Sequence, residues 1–306
     1  MGRWLVGAPA AATGDRLVEL VDPRPGAVPF HEAMSEGADL PRAAEVEVWL
    51  PGYRGKSLVP LLGWLAAGRL AAPGATVTWV VDRRQGPDSV ARLLAGHGWR
   101  DLVRGRDGRT VRLAARPPAD PPWPAPRRFT ATIGDRELSF DADYGVFSPS
   151  RVDDGTALLA EVALAGSPVE VLADIGTGYG ALAVGLVAGG LAGRAVATDV
   201  DCLALWLATR NAARHGVSVS VACQADPDAV EPTGLTVCNV PTHLDTARSA
   251  AFMAGLAARA RHGRLLVVVH RSLEQRYARH LTGAGLDLTR HPGPDHTVLA
   301  STGRAG

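Results

Sequence analysis

Lysine is almost missing from this chain: of 32 basic residues only Lys56 is lysine, and the rest are arginine. Together with the richness in alanine, glycine and proline, that bias reads as GC-rich coding, so no arginine carries functional weight by its identity alone. Cysteine is scarce as well. Cys202, Cys223 and Cys238 are odd in number and widely spaced, with no CxxC pair. They argue against a disulfide frame or a zinc site, and fit reduced thiols in a cytoplasmic protein with no bound metal. No apolar run approaches the eighteen or more residues of a spanning helix, and Met1-Gly2-Arg3-Trp4 does not open a signal peptide; neither a membrane span nor export is expected. A strong charge of one sign is also lacking. The net charge of +1 gives no global basic field to advertise nucleic-acid binding.

What is present is an ordinary globular composition, 46% hydrophobic and 21% charged, in 306 residues, a length that suits two domains. The stretch Arg116-Pro117-Pro118-Ala119-Asp120-Pro121-Pro122-Trp123-Pro124-Ala125-Pro126 cannot propagate a helix or a central strand, because proline lacks the donor and biases its predecessor to extended geometry. It places a boundary between domains 1–120 and 121–306. Near it, Arg100, Arg104, Arg106, Arg109, Arg112, Arg116, Arg127, Arg128 and Arg136 outnumber Asp101, Asp107, Asp120 and Asp135. They read either as a solvated surface or as a phosphate-contacting face.

In the second half, Arg128 to Phe140 suggests a hairpin and Thr156 to Leu164 a helix. Strands are expected at Val169–Asp174, Arg194–Thr198, Val217–Cys223, Leu235–Cys238 and Arg264–Val269. Helices Ala181–Ala188, Cys202–His215, Ala247–Arg261 and Leu273–Thr282 intervene, and strands Leu286–Arg290 and Thr297–Ala300 close the pattern. Strands alternating with helices mean a parallel sheet covered on both faces. The first half echoes this order. Glu45-Val46-Glu47-Val48-Trp49-Leu50-Pro51 matches Leu235-Thr236-Val237-Cys238-Asn239-Val240-Pro241. A helix, a glycine turn (Gly74; Gly263), a strand and another helix then follow in each. From Pro51 to Gly74 is 23 positions and from Pro241 to Gly263 is 22, a spacing that points to a duplicated domain. The first copy has no glycine-rich turn after its early strand and carries Trp49 where the second has Asn239. Gly55-Lys56-Ser57 is not a phosphate loop, since Leu50 stands where its first glycine must be.

A strand ending at Asp174, glycines at 176, 178 and 180, then a helix, is a geometry that lets a ligand approach bare backbone. The spacing is not Gly-x-Gly-x-x-Gly, so a pyrophosphate is not obviously cradled. Asp174, two positions before the first glycine, is suited to an amino-acid moiety. Both features favour S-adenosylmethionine over a dinucleotide. Asp199 lies 23 residues beyond Gly176 at the end of the next strand, where a carboxylate can accept ribose hydroxyls. It supports a nucleoside of either kind, and Asp199 and Asp201 can also be read as helix caps.

Val146-Phe147-Ser148-Pro149-Ser150-Arg151-Val152-Asp153-Asp154-Gly155-Thr156-Ala157-Leu158-Leu159, with Ala173-Asp174-Ile175-Gly176-Thr177-Gly178-Tyr179-Gly180, resembles the small-domain class I methyltransferases. Among these it is similar to the ribosomal RNA guanine-N2 methyltransferases, which carry a degenerate first copy of the fold. The resemblance runs from about Glu45 to Thr302. It implies an α/β protein of two tandem Rossmann-like domains, each a parallel sheet with a C-terminal antiparallel strand, the first degenerate. By the same resemblance Asp174, Gly176, Thr177, Gly178 and Gly180 hold the methionine end of S-adenosylmethionine and Asp199 the ribose. Asp226 falls near the adenine, and Gly155 and Thr156 belong to the cofactor side.

In that family the fourth strand ends in Asn-Pro-Pro-Phe, commonly followed by His. An exocyclic amine is a poor nucleophile, because its lone pair is delocalised into the ring. An asparagine oxygen and a backbone carbonyl accept its hydrogens and orient it, while the aromatic stacks on the base. This chain reads Asn239-Val240-Pro241-Thr242-His243, which keeps Asn239, Pro241 and His243 as catalytic candidates. Val240 and Thr242, with Phe147 from the upstream motif, are the substrate-side candidates. Phe147 or His243 would have to supply the missing stacking face. His243 also reads as a general base for an oxygen substrate, or as a plain loop residue. The resemblance implies methylation of guanine N2 in ribosomal RNA, with RNA as the partner. A small-molecule acceptor, or a non-catalytic protein that binds cofactor or RNA, are the other readings.

Overall fold

The computed structural model describes residues 2–12, 16–242 and 244–301. His243, one of the candidate site residues, therefore lies outside the described residues. Two compact units are present: 1–127 with 143–146, and 128–142 with 147–306. The sequence boundary at 120/121 thus falls a few residues short of the division. The proline-rich stretch belongs to the first unit, where Trp123 packs edge-on against Trp64 at 4.7 Å between ring centroids.

The first unit runs β1 (Trp4–Val6), β2 (Arg16–Glu19), β3 (Val28–Pro29), α1 (Phe30–Ala33), β4 (Ala43–Trp49) and α2 (Leu58–Leu65). It continues through β5 (Ala71–Asp82), α3 (Pro87–Gly96), β6 (Arg100–Asp107) and β7 (Thr110–Arg116). The second opens with a hairpin of β8 (Arg128–Ile133) and β9 (Arg136–Asp141), followed by α4 (Asp154–Leu164), β10 (Val169–Ile175), α5 (Ala181–Ala188) and β11 (Ala192–Asp199). Then come α6 (Cys202–His215), β12 (Val219–Cys223), β13 (Leu235–Asn239), α7 (Thr246–Arg259), β14 (Arg264–His270), α8 (Glu274–Gly283), β15 (Thr289–Pro292) and β16 (His296–Ser301).

The two seven-stranded sheets have the same order, β3-β2-β1-β4-β5-β7-β6 and β12-β11-β10-β13-β14-β16-β15. In each, five neighbouring strands are parallel, and the sixth in spatial order runs antiparallel to both of its neighbours. In strand order the duplication is therefore complete. It includes β1 to β3, which the sequence pattern missed because strands of three, four and two residues carry no readable period. A second difference lies in β5. Gly74 is not a turn before the strand but sits inside it, in the left-handed region at φ 77°, where the pairing with β4 is irregular.

The degeneracy of the first copy is structural as well as sequential. Among the described residues no helix lies between β1 and β2 or between β2 and β3, where the second unit has α5 and α6. Its core instead centres on α2 and on Trp79 and Trp99, both buried and edge-to-face at 5.7 Å. Six of the nine arginines of the excess lie on the edge hairpin β6–β7, with ion pairs around it, and Arg127, Arg128 and Arg136 lie beyond it. Arg112 pairs with buried Glu47, Arg104 with Asp88, and Arg116 with Asp101.

In the second unit β13 and β14 are almost wholly buried, as central parallel strands covered on both faces must be. One face packs under α7 and α8 through Ile175, Cys238, Val240, Met253, Leu256, Val267 and Leu281. On the other, α5 is apolar all round because it is enclosed by the sheet, α4 and α6. The hairpin strand β9 is fixed to α6 by a buried knot. The Asp141 carboxylate, fully buried, accepts from Arg128 at 2.8 Å, Arg214 at 2.7 Å and Arg210 at 3.3 Å. The Asn211 side chain meanwhile accepts the Asp141 N–H at 2.7 Å.

Candidate active site

Strand order reverses between β10 and its neighbours β11 and β13, and a crevice opens at the carboxyl ends of strands at such a point. Asp174, Asp199 and Asn239 stand at or next to the ends of β10, β11 and β13, on strands in direct register. Adjacent strands are about 4.8 Å apart, so these three side chains share one rim.

Asp174 is buried at 1% exposure. Its Oδ2 accepts from Thr177 Oγ1 at 2.6 Å and from the Ala183 N–H at 3.0 Å, which brings the loop and α5 back onto the strand. Its Oδ1 is equally buried and has no partner among the described residues. A buried carboxylate oxygen without a donor is costly, and it fits an ammonium group that arrives with a ligand. Burial pushes the Asp174 carboxyl up to about 6, against the hydrogen bonds from Thr177 and Ala183.

The loop itself is left-handed at Gly176, Gly178 and Gly180, with φ of 73°, 58° and 89°. A Cβ on Gly176 or Gly178 would meet nothing within 4 Å, so the backbone there faces open space. Gly180 differs: its Cβ would press on Ala208 of α6 at 3.0 Å, and its glycine serves helix packing. The N–H groups of Gly176 and Thr177 are taken by the Thr198 carbonyl at 2.8 and 2.9 Å. They hold the loop in shape and do not face a ligand.

Asp199 is half-buried. Its Oδ2 accepts the Gly178 N–H at 2.9 Å and its Oδ1 the Asp201 N–H at 2.9 Å. Burial raises it to about 6, and the nearby Asp201 charge adds to the shift. The Val200 N–H also bonds to the Asp199 carboxylate, which keeps acceptor capacity for a hydroxyl. Asp201 is the N-cap of α6, accepting from the Leu203 and Ala204 N–H groups, so capping describes Asp201 and not Asp199. Asp226, after β12, accepts the Asp228 N–H and caps a short turn, with its Oδ1 against Gly255 of α7.

At the end of β13 the Asn239 amide nitrogen donates to Thr156 Oγ1 at 2.9 Å and to Asp153 Oδ2 at 3.1 Å. Asp153 also caps α4 through the Gly155 and Thr156 N–H groups. Asp153 was not among the sequence candidates. The signal available was its N-cap position before Gly155, but its contact with β13 lies 86 residues away along the chain. Thr156 and Gly155, expected on the cofactor side, stand against Asn239 and His296 respectively; a Cβ on Gly155 would meet His296 at 2.9 Å. The Val240 side chain is buried in the core and its N–H is bonded to Val268, which leaves only its carbonyl for a substrate. Pro241 is half-buried and Thr242 exposed, while Phe147 is 67% exposed, six positions ahead of Asp153.

No group of three or more metal-ligating side chains occurs among the described residues. No helix among them is long and apolar enough to cross a membrane. The strand order, the acid-and-glycine loop on the first strand of the unit's main sheet and the second acid on the next define a methyltransferase-type nucleoside-binding domain. Residues 137–284 match the family model described as the methyltransferase small domain, and the second unit belongs to that family.

Among curated proteins the chain is similar to the ribosomal RNA small subunit methyltransferase C of Pseudomonas putida. They are 31% identical over 212 residues, 68% of this chain and 63% of that protein. The protein of the same name from Pseudomonas paraeruginosa is 31% identical over 201 residues, 64% of this chain and 59% of that one. The chain thus spans about three fifths of the length of the curated relatives it matches. Among solved structures it is similar to the T. thermophilus 16S rRNA N2 G1207 methyltransferase in complex with AdoMet and guanosine. The TM-score is 0.70 at 20% identity, over 99% of this chain and 88% of that one. That likeness extends the shared fold over both units.

Proposed function

We propose that this chain is an S-adenosylmethionine-dependent methyltransferase that modifies an exocyclic amine of RNA, namely guanine N2 of ribosomal RNA. The observation that carries the reading is the rim of Asp174, Asp199 and Asn239. A buried carboxylate oxygen lacks a donor, a second acid stands at the end of the next strand, and beside them is an amide whose nitrogen is bonded inward to Thr156 and Asp153. The relatives named for ribosomal RNA methylation support the choice of substrate.

The residues present fit the cofactor. Asp174 Oδ1 would take its ammonium, the open face at Gly176 and Gly178 its methionine portion, and Asp199 its ribose. Bound there, S-adenosylmethionine supplies an electrophilic methyl group. Asn239 Oδ1 and the Val240 carbonyl accept the two amine hydrogens and aim the nitrogen lone pair. Phe147, exposed and upstream of Asp153, supplies an aromatic face in place of the Thr242 hydroxyl. The first unit, which lacks the glycine loop and its helices, serves RNA binding through the edge hairpin β6–β7, in a protein of the cytoplasm.

The test is transfer of labelled methyl groups from S-adenosylmethionine to unmodified ribosomal RNA, set beside a panel of amine and hydroxyl metabolites. Label recovered as N2-methylguanine after digestion is the expected result. Label confined to a metabolite, or cofactor binding with no transfer to any acceptor, would overturn the reading.

A further inference from the structure

An asparagine side chain has two faces, a donor and an acceptor, and which one meets a substrate decides what the substrate must be. At Asn239 the choice is made by its neighbours. A carboxylate has acceptors and no donor, so the side of Asn239 that faces Asp153 is the amide nitrogen. The second hydrogen of that nitrogen goes to Thr156 Oγ1, and Thr156 is itself buried at 8% exposure. Both donors of Asn239 are thereby consumed inside the domain, and the carbonyl oxygen is left for the rim. The local sequence brings the two partners together: Asp153 caps α4 and thus holds Thr156 one turn into the helix, and the fold then turns both side chains to Asn239 on β13.

We propose that Asp153 and Thr156 are positioning residues that lock Asn239 with its oxygen outward, so that the site accepts only a group that donates hydrogen. An exocyclic amine meets that condition. A ring nitrogen whose only feature is a lone pair does not, because it would face the Asn239 oxygen with a second acceptor. This deepens the methyltransferase reading above and rests on it for the substrate, though not for the lock itself. It also assigns Thr156 to the acceptor side and not to the cofactor.

The experiment uses the full chain with Thr156→Val, which keeps the shape and removes the acceptor, and Thr156→Ser, which restores it. Asp153→Ser is the third variant, retaining a capping residue while withdrawing the carboxylate. Turnover on ribosomal RNA should fall roughly tenfold or more in Thr156→Val and Asp153→Ser and recover in Thr156→Ser, with S-adenosylmethionine affinity within about twofold of the parent throughout. In the free protein, the Asn239 side-chain amide protons, assigned by their loss in Asn239→Ala, should exchange with solvent slowly in the parent and in Thr156→Ser. Exchange should be faster in Thr156→Val. A Thr156→Val protein with parental turnover and parental exchange overturns the lock, and so does one that loses cofactor affinity and turnover together. If the parent methylates no base amine, the function reading fails by itself. The exchange measurement still decides the lock: parental rates dependent on Thr156 support it, and fast exchange independent of Thr156 overturns it.

Discussion

The Asp199 carboxylate accepts the backbone N–H of Gly178 at 2.9 Å, tying the end of β11 to the middle of the glycine loop on β10. One acid therefore shapes the loop and is also the one proposed for the ribose. Replacing Asp199 with alanine should weaken S-adenosylmethionine binding tenfold or more, since hydrogen bonds to a charged acceptor are worth roughly 1.5–3 kcal/mol each. Calorimetry on a variant shown to be folded measures this. Unchanged affinity would remove Asp199 from the ribose.

Asp174 and Asp199 both sit at about 6 because burial raises them above their ordinary range. A carboxyl whose folded value exceeds its unfolded one binds protons more readily in the folded state. Its stabilising contribution is full below the unfolded value and is lost as pH rises through about 6. Between about pH 4 and 7 these two groups therefore favour the free protein at the acidic end. Cofactor binding needs them ionised and should weaken as pH falls through about 6. Asp174→Asn should raise the melting temperature of the free protein at about pH 8 and flatten this part of its pH dependence, while abolishing tight cofactor binding. Melting curves from about pH 5 to 8, with and without cofactor, test both signs.

Asp141 behaves in the opposite way. Burial alone would raise its carboxyl, but hydrogen bonds from Arg214 and Arg128 hold it below the ordinary value. Its contribution is present above the unfolded value and is lost as pH falls towards the folded one. Asp141→Ala leaves Arg210 and Arg214 facing an emptied, buried site, and should cost about 3–5 kcal/mol in urea unfolding. A loss under about 1 kcal/mol would mean that solvent already reaches the cluster.

Asn239→Ala should abolish methyl transfer while leaving S-adenosylmethionine affinity nearly intact. Its amide hydrogens go to Thr156 and Asp153, and its oxygen is proposed for the acceptor. A variant with full rate would show that the acceptor is held elsewhere.

The edge hairpin separates arginines of two kinds. Arg112 pairs with buried Glu47, so Arg112→Ala should lower stability whatever RNA does. Arg106 and Arg109 are exposed, and neutralising both should weaken RNA binding. The salt dependence should flatten too, by a slope of about 0.7–0.9 for each phosphate that no longer meets an arginine. An RNA titration at several salt concentrations reads both. Parental affinity and slope would leave the hairpin a solvated surface.

The residues by themselves determined a good deal. The parallel strands of the second unit carry apolar runs or, in β12, apolar residues in alternation, and glycines at 176, 178 and 180 mark a turn that few other residues could make. Asp174 and Asp199 follow from their distance to that turn. The first unit was legible only from β4 to α3: β1 to β3 are too short to show a period and are held by their neighbours in the sheet, and the hairpin β6–β7 was read only as an excess of arginine. Tertiary structure alone decided the rest. Gly176 and Gly178 leave space for a ligand while Gly180 makes room for α6, a division invisible in the spacing. Val240 points into the core and Arg112 to Glu47 because strand register, not residue type, sets which face each occupies. Asp153 and Thr156 reach Asn239 only when the cap of α4 is brought against the end of β13. Hydrogen bonds have a reach of about 3 Å, so a site assembled from segments more than about 80 residues apart exists only once the sheet has closed.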